Sequence, residues 1–376
     1  MKKTMNLICL LAFVLFSCSK ETEIPRPGNK PVPGNPDVPV PPTQPAADSV
    51  SIFIKAVIKV GLATYDSIPA DLVIASTLEN GQVSTTNKRL LPGSNNLKLP
   101  KSAVSHRIRL SQWNITDEQS ISSQELKEGM LVEMGGTKGL KKLKMEMEYL
   151  EVQGNFQPKA KRLYTYNTSG NLAQVDYFRK LPEYSDLRLT LTDKGVYTNG
   201  TLSGVDRYNE KDIRVAQTGF EYSASGQIVN VSQDSYGQKT YNTIEYGVVP
   251  GGKTADIYLL FDNGQNMHYN MKFVGGNKVE DRAASSTGAS EGGKYNYDSY
   301  INPYHQVLFP DLYLANSSKN NLITQQKGYG GVIPVAVLDK QEYTYDADGY
   351  PVVLIKYFKS GQTNQALYRS KIVFTY

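Results

Sequence analysis

Cysteine is nearly absent from this sequence, with two in 376 residues, Cys9 and Cys18, both close to the N-terminus. No disulfide can cross-link the rest of the chain, so the body must stand on its apolar core. Histidine is also scarce. His106, His268 and His305 lie far apart, and none falls in a zinc-binding spacing. No P-loop, GxSxG elbow or GxGxxG turn is present, and the glycines at 292–293 and 328–331 read as loops. No cofactor is expected and no catalytic site is legible, so the chain is read as non-enzymatic. Strong charge is missing as well. Removing Lys2 and Lys3 from the formal +5 leaves +3, which argues against nucleic acid as a partner.

What is present begins at the N-terminus. Met1-Lys2-Lys3 is a short basic segment. Asn6 to Phe16 is mostly apolar, long enough for a signal-peptide core and too short to span a bilayer. It ends Leu15-Phe16-Ser17-Cys18. That order resembles the lipobox of bacterial lipoproteins, which implies cleavage after residue 17 and acylation of Cys18. Cys9 would leave with the signal peptide. Ser19-Lys20-Glu21-Thr22-Glu23 resembles the charged segment after the cysteine in surface-exposed lipoproteins of the Bacteroidota, which implies an outer-membrane anchor facing the cell exterior.

Residues 18–47 form the next unit. Between Pro25 and Pro45, nine of 21 residues are proline, a composition that favours extended polyproline II. At ~3.1 Å per residue the segment reaches about 65 Å and serves as a stalk. From Asp48 the pattern becomes β. Val50–Ile54, Ala56–Val60, Leu72–Ala75 and Ser105–Leu110 are strand signals, separated by turns at Glu79-Asn80-Gly81 and Pro92-Gly93. Residues 48–135 are therefore expected to form a β-sandwich. Gly135 to Gly139 is read as a hinge.

Residues 140–376 contain a loose repeat. Tyr164-Thr165-Tyr166, Phe220-Glu221-Tyr222 and Tyr343-Thr344-Tyr345 are each followed four residues later by glycine, Gly170, Gly226 and Gly349. Val175, Val231 and Leu354 stand nine residues after each second aromatic. Aromatics at i and i+2 share one strand face, the turn uses glycine at positive φ, and an apolar residue returns on the partner strand. Asp262-Asn263-Gly264-Gln265 marks a further hairpin. The expected result is an all-β chain: the sandwich, then a large antiparallel meander of a dozen or so strands, as a curved sheet or small barrel. Asp346-Ala347-Asp348-Gly349 is read as one of these turns rather than as a calcium loop.

Tyr295-Asn296-Tyr297-Asp298, Asn302-Pro303-Tyr304, Ser318-Lys319-Asn320-Asn321 and Tyr343 to Pro351, in that order, resemble the C-terminal landmarks of a family of Bacteroidota lipoproteins. The resemblance implies a porin-like fold of unknown function and brings no active site. The hairpins resemble, more distantly, the YD-type repeats of large secreted toxins. Residues 295–304 lack the hairpin glycine and are expected to form a loop. The final alternation Tyr368, Ile372, Phe374, Tyr376 would also suit a membrane-spanning barrel. A lipid anchor and a stalk are redundant for one, so a water-exposed sheet is favoured.

Three functions remain open. The first is a surface binding module for glycan or protein, with Tyr295, Tyr297, Tyr300 and Tyr304 as candidate ligand contacts. The second is a structural or accessory subunit of an envelope complex. The third is a glycoside hydrolase, whose paired carboxylates at ~5–10 Å are invisible in a sequence.

Overall fold

A computed structural model describes residues 48–66, 68–285, 290–310, 314, 317–328 and 334–376. The lipobox with Cys18, the proline-rich segment and Tyr329 to Gly331 lie outside the described residues. Every regular element among the described residues is a strand.

The first eight are β1 (Ser49–Val60), β2 (Ala63–Tyr65), β3 (Ala70–Leu78), β4 (Val83–Leu90), β5 (Ser94–Pro100), β6 (Ala103–Gln112), β7 (Ile115–Ser122) and β8 (Leu131–Lys138). They build two sheets, one of β1, β2, β5 and β8 and one in the order β4-β3-β6-β7. The two β-branched runs of the sequence form a single strand. Along β1, Val50, Ile52, Ile54, Ala56, Ile58 and Val60 are buried in strict alternation. They meet Leu72 and Ile74 of β3 and Ile108 and Leu110 of β6 in one core. Each such side chain contributes roughly 1.5–3 kcal/mol on burial, so the sandwich needs no disulfide.

The expected hinge is instead ordered strand. Gly135 to Lys138 of β8 pair in parallel with Val57 to Val60 of β1. Gly135 is required there by close approach, since its φ is +150° and a Cβ would lie 1.8 Å from the Val57 carbonyl oxygen. Glycine in this place marks a tight backbone contact rather than a flexible joint.

Sixteen strands follow: β9 (Met145–Val152), β10 (Asn155–Tyr166), β11 (Leu172–Lys180), β12 (Leu187–Thr198), β13 (Thr201–Asn209), β14 (Arg214–Tyr222), β15 (Ile228–Ser235), β16 (Gln238–Val249), β17 (Gly252–Phe261), β18 (Asn266–Val274), β19 (Asn277–Ser285), β20 (Ser290–Ile301), β21 (Asn320–Gly328), β22 (Ala336–Tyr345), β23 (Pro351–Ser360) and β24 (Ala366–Thr375). They form one antiparallel sheet in which β24 closes back onto β9, leaving β21 and β22 as the two ends of the order. Those end strands lie against each other without joining the ladder. The sheet is a barrel open along a single seam. Residues 295–301, expected as loop, belong to β20.

The repeat hairpins take a common form. Tyr164 pairs with Val175, Phe220 with Val231 and Tyr343 with Leu354, and each ladder is irregular just before the second aromatic. Gly170, Gly226 and Gly349 have φ of +84°, +78° and +83°, the left-handed region that favours glycine. At the first turn position, Asn167, Ser223 and Asp346 each accept a side-chain hydrogen bond from the amide four residues on. Polar side chain at one end, glycine at the other: the turn is written locally in the sequence.

The loop after β20 turns into the barrel. Tyr304, Val307, Leu308 and Phe309 pack against Tyr164, Val175, Leu354, Ile372 and Phe374. Leu314 packs against the cluster of Phe220, Val231, Ile244, Ile257 and Met271. Two separate arcs of the wall thus face one inserted segment, which identifies the concave side. Apolar side chains line it, and residues of opposite parity face outward.

Candidate functional site

The concave side carries charge in neutralised sets. Arg162 donates to Glu146 at 2.9 Å. Arg207 grips Asp193 through Nε at 2.6 Å and Nη2 at 2.7 Å, and the Tyr177 hydroxyl donates to the same carboxylate at 2.9 Å. The Tyr177 ring lies between the guanidinium groups of Arg162 and Arg207, at 5.8 and 5.7 Å. Burial, then Asp193, pushes the Tyr177 phenol up from its ordinary pKa. Beside this set lies a cavity of about 440 Å³ bounded by Phe220, Leu308 and Phe309. Its charges hold one another, and its phenol stays protonated, so the arrangement fixes the inserted segment rather than offering a base or nucleophile.

The four tyrosines singled out in the sequence are placed by packing. Tyr295 is buried, and its hydroxyl donates to Asp281 at 2.6 Å. Tyr297 donates to the Lys278 carbonyl at 2.7 Å and accepts from Ser318 Oγ at 3.1 Å. Tyr300 stacks on Tyr345, with centroids 3.9 Å apart, and leans on Trp113. Tyr304 sits edge-on to Phe374, and burial, then Glu146, pushes its phenol well up. The structure brings the landmark segments together around Asp298. That carboxylate accepts from the Tyr345 hydroxyl, the Tyr300 amide, and the amide and side chain of Asn321. Asn302 Nδ2 donates to the Ser318 carbonyl at 2.8 Å. Residues distant in sequence therefore share one polar hub, which joins β20, β21 and β22 at the seam.

The outward face of β16, β17 and β18 is different. Tyr241 is 55% exposed, Leu260 52% and Tyr258 44%. Tyr241 and Leu260 are cross-strand partners, as are Thr243 and Tyr258, and Tyr258 and His268. The Tyr258 and His268 rings stack in parallel at 4.7 Å. Asp256 holds the other side of this pair, accepting from His268 Nε2 at 2.8 Å and from Asn270 Nδ2 at 2.8 Å. On its other side Tyr258 pairs across the strands with Thr243, which stands between Tyr241 and Glu245 along β16. Burial, then Glu245 and Asp256, pushes the Tyr258 phenol up. An open aromatic ring ringed by carboxylate, amide and hydroxyl groups suits a polar, ring-shaped ligand. The alternation of Tyr241, Thr243 and Glu245 with Asn242 and Ile244 was the available sequence signal for this face.

Among the described residues no group of three or more His, Cys, Asp or Glu could hold a metal ion. The Asp346 and Asp348 carboxylates of the hairpin turn are occupied by Lys138 and Lys141, at 2.6–2.8 Å.

No family model matches the chain, and no curated protein matches it. Solved structures similar to it include a porin-like protein from Bacteroides uniformis ATCC 8492, at 12% identity and a TM-score of 0.44, covering 62% of this chain and 97% of that one. A porin-like protein from Bacteroides vulgatus ATCC 8482 is similar at 12% identity and a TM-score of 0.35, covering 62% and 98%.

Proposed function

We propose that this chain is an envelope protein, lipid-anchored at Cys18 and held outward from the outer membrane on residues 18–47, that acts as a non-enzymatic glycan-binding module. The location rests on the lipobox and the proline-rich segment. The water-exposed character rests on the outward face, where Glu245, Asp256 and Lys272 stand within strands β16, β17 and β18. A lipid-facing band would be apolar there, and a lysine at the midplane alone would cost roughly 2–4 kcal/mol.

The observation that carries the glycan reading is the exposure of Tyr258 and Tyr241 on one outward face, with Thr243, Glu245 and Asp256 around them. Sugar rings stack on such faces while their hydroxyls meet carboxylates and amides. A glycan array probed with the unlipidated full chain (Cys18→Ala), then with Tyr258→Ala and Tyr241→Ala, tests it. Binding that falls about tenfold or more in both variants, with unchanged urea midpoints, is the expected result. Binding that survives both substitutions would exclude this face.

A further inference from the structure

The hub around Asp298 fastens a barrel that the backbone does not close. Along the sheet each strand is joined to its neighbour by a registered ladder, and β24 to β9, while β21 and β22 are not joined. At one end of that seam Asp298 of β20 stands in for the ladder. Its Oδ2 accepts from the Tyr345 hydroxyl of β22 and, at 3.1 Å, from Asn321 Nδ2 of β21. Its Oδ1 accepts from the Asn321 amide at 3.0 Å and from the Tyr300 amide at 2.9 Å. The Tyr300 ring lies flat on Tyr345. One backbone bond, from Ile301 N to the Gly349 carbonyl at 3.2 Å, ties β20 to the turn after β22. Between Leu322 to Gly328 and Ala336 to Thr344, no hydrogen bond or ion pair among the described residues crosses the seam.

The two kinds of closure fail differently. A ladder shares the load over many backbone bonds, whereas a side-chain hub is either made or broken. Local opening starts where few backbone bonds hold an element. On β21 and β22, alternate residues point their N–H and C=O groups into the seam, and the other half bond to β20 and β23. Each end strand is thus held by a ladder on one side only. The bond from Tyr345 is charge-assisted and therefore stronger than a neutral one. Without it, Asp298 still holds Asn321 and Tyr300, both on the β20–β21 side, and nothing polar ties that side to the length of β22.

We propose that the barrel wall is built to part at this seam, with the Tyr345–Asp298 hydrogen bond as its latch. While the bond is made, β22 is held against β20 and β21. When it breaks, the end strands loosen from β20 and β23 along 322–328 and 336–344. The inner face around Gln341, buried in the closed wall, then meets water. The Ile301–Gly349 bond keeps the sandwich end in register, so the parting is local and reversible. It involves none of the residues of the outward face of β16–β18.

Hydrogen exchange of the unlipidated full chain (Cys18→Ala) tests the latch. The reporters are the amides of β21 and β22 that bond to β20 and β23, because amides pointing into the seam exchange at a free edge whether or not a strand loosens. With the hub intact, the reporters should exchange at least about tenfold faster than the laddered amides of β16 and β17. Tyr345→Phe keeps the ring on Tyr300 and removes the latch. It should speed the reporters about tenfold further, the expected loss of one hydrogen bond to a charged group, and leave β16 and β17 unchanged. Tyr343→Phe should leave the reporters as they were, since that hydroxyl reaches only Gln341 of its own strand, at 3.4 Å. Reporters as slow as β16 and β17 with the hub intact would overturn the proposal, and that measurement needs no variant to fold. Equal effects of Tyr345→Phe and Tyr343→Phe would overturn it too. So would acceleration by Tyr345→Phe spread over the whole barrel, which would mark a general loss of stability rather than a latch.

Discussion

The indole of Trp113 covers the turn glycine Gly349 so closely that a Cβ added there would lie 2.5 Å from Trp113 Cε2. One residue belongs to the β6–β7 turn of the sandwich and the other to the β22–β23 hairpin of the barrel. The contact is part of a wider seat. Tyr65 packs edge-on to Trp113 with centroids 5.4 Å apart, and Ile301 and Tyr350 of the barrel end join the sandwich core. Lys138 and Lys141 pair with Asp348 and Asp346, and the Tyr65 hydroxyl donates to the Lys319 carbonyl at 2.9 Å. The segment expected to be a hinge thus runs straight into a packed junction.

This contact separates three glycines that the sequence treats alike. Each has positive φ, so alanine at any of them costs about 1 kcal/mol through backbone strain. At Gly226 an added Cβ meets open space, and at Gly170 it meets the movable amine of Lys142. At Gly349 it meets an indole that cannot retreat, and overpacking adds roughly 1–3 kcal/mol. Urea melts of Gly226→Ala, Gly170→Ala and Gly349→Ala should rank in that order of rising damage. Trp113→Ala should reduce the excess at Gly349. A Gly349 variant no worse than the Gly226 variant would mean that the junction is not packed as described.

The legible parts of this fold are those where one residue type does one job. Strand β1 announces itself because its inner face is all apolar, and the hairpins do so because glycine and a capping side chain mark each turn. The barrel wall was harder to count. Arg162, Asp193 and Arg207 stand on its inner face, so the apolar alternation fades where the charges pair. The tyrosines of 295–304 could be found but not oriented, since a phenol satisfies both a sheet interior and a ligand. The Tyr258–His268 stack depends on the register across the turn at 262–265, which is not a property of a local sequence.

Acid should loosen the junction first. Hydrogen bonds from Lys138 and Lys141 hold the Asp348 carboxyl well below the usual carboxylate range. A carboxyl depressed in the folded state adds stability above its unfolded pKa of about 4, and that contribution is lost as pH falls toward the folded value. Urea midpoints followed from pH 7 to pH 2 should therefore decline below about pH 4. Asp348→Asn should lower the midpoint at pH 7 and flatten the decline. Parallel pH profiles for the two proteins would remove Asp348 from this role.

The inner ion pair offers a test of the inserted segment. Asp193→Ala would leave the Arg207 guanidinium and the Tyr177 hydroxyl without their shared acceptor. Breaking a fully buried pair costs roughly 3–5 kcal/mol. Arg207 keeps 43% of its side-chain exposure, so water recovers part of that and about 2 kcal/mol is expected. Asp193→Asn should cost less, since an amide oxygen still accepts. Tryptophan emission is silent about this region because Trp113 lies in the sandwich, so far-UV circular dichroism should follow the melt. A loss under about 0.5 kcal/mol would show that the pair is already solvated and does not fasten the segment.

The anchor makes a prediction that is independent of the barrel. After cleavage behind Ser17, Cys18 would be the single thiol of the chain, because Cys9 leaves with the signal peptide and no other cysteine exists. Acylation would consume it. Each buried methylene contributes about 0.8 kcal/mol to membrane binding, so two or three chains hold firmly where one would exchange. Cys18→Ala should therefore abolish labelling by a tagged fatty acid and shift the protein from the membrane to the soluble fraction. The sandwich core, with Ile52, Ile54 and Ile58 fully buried, takes nothing from the anchor, so the urea midpoint should stay within about 0.5 kcal/mol of the original. Reducing agent should leave that midpoint unchanged, since no disulfide can form. Continued labelling of the Cys18→Ala protein would refute the lipobox. Loss of labelling with full membrane retention would instead place a second membrane contact on the barrel, and the water-exposed reading of its outward face would fall with it.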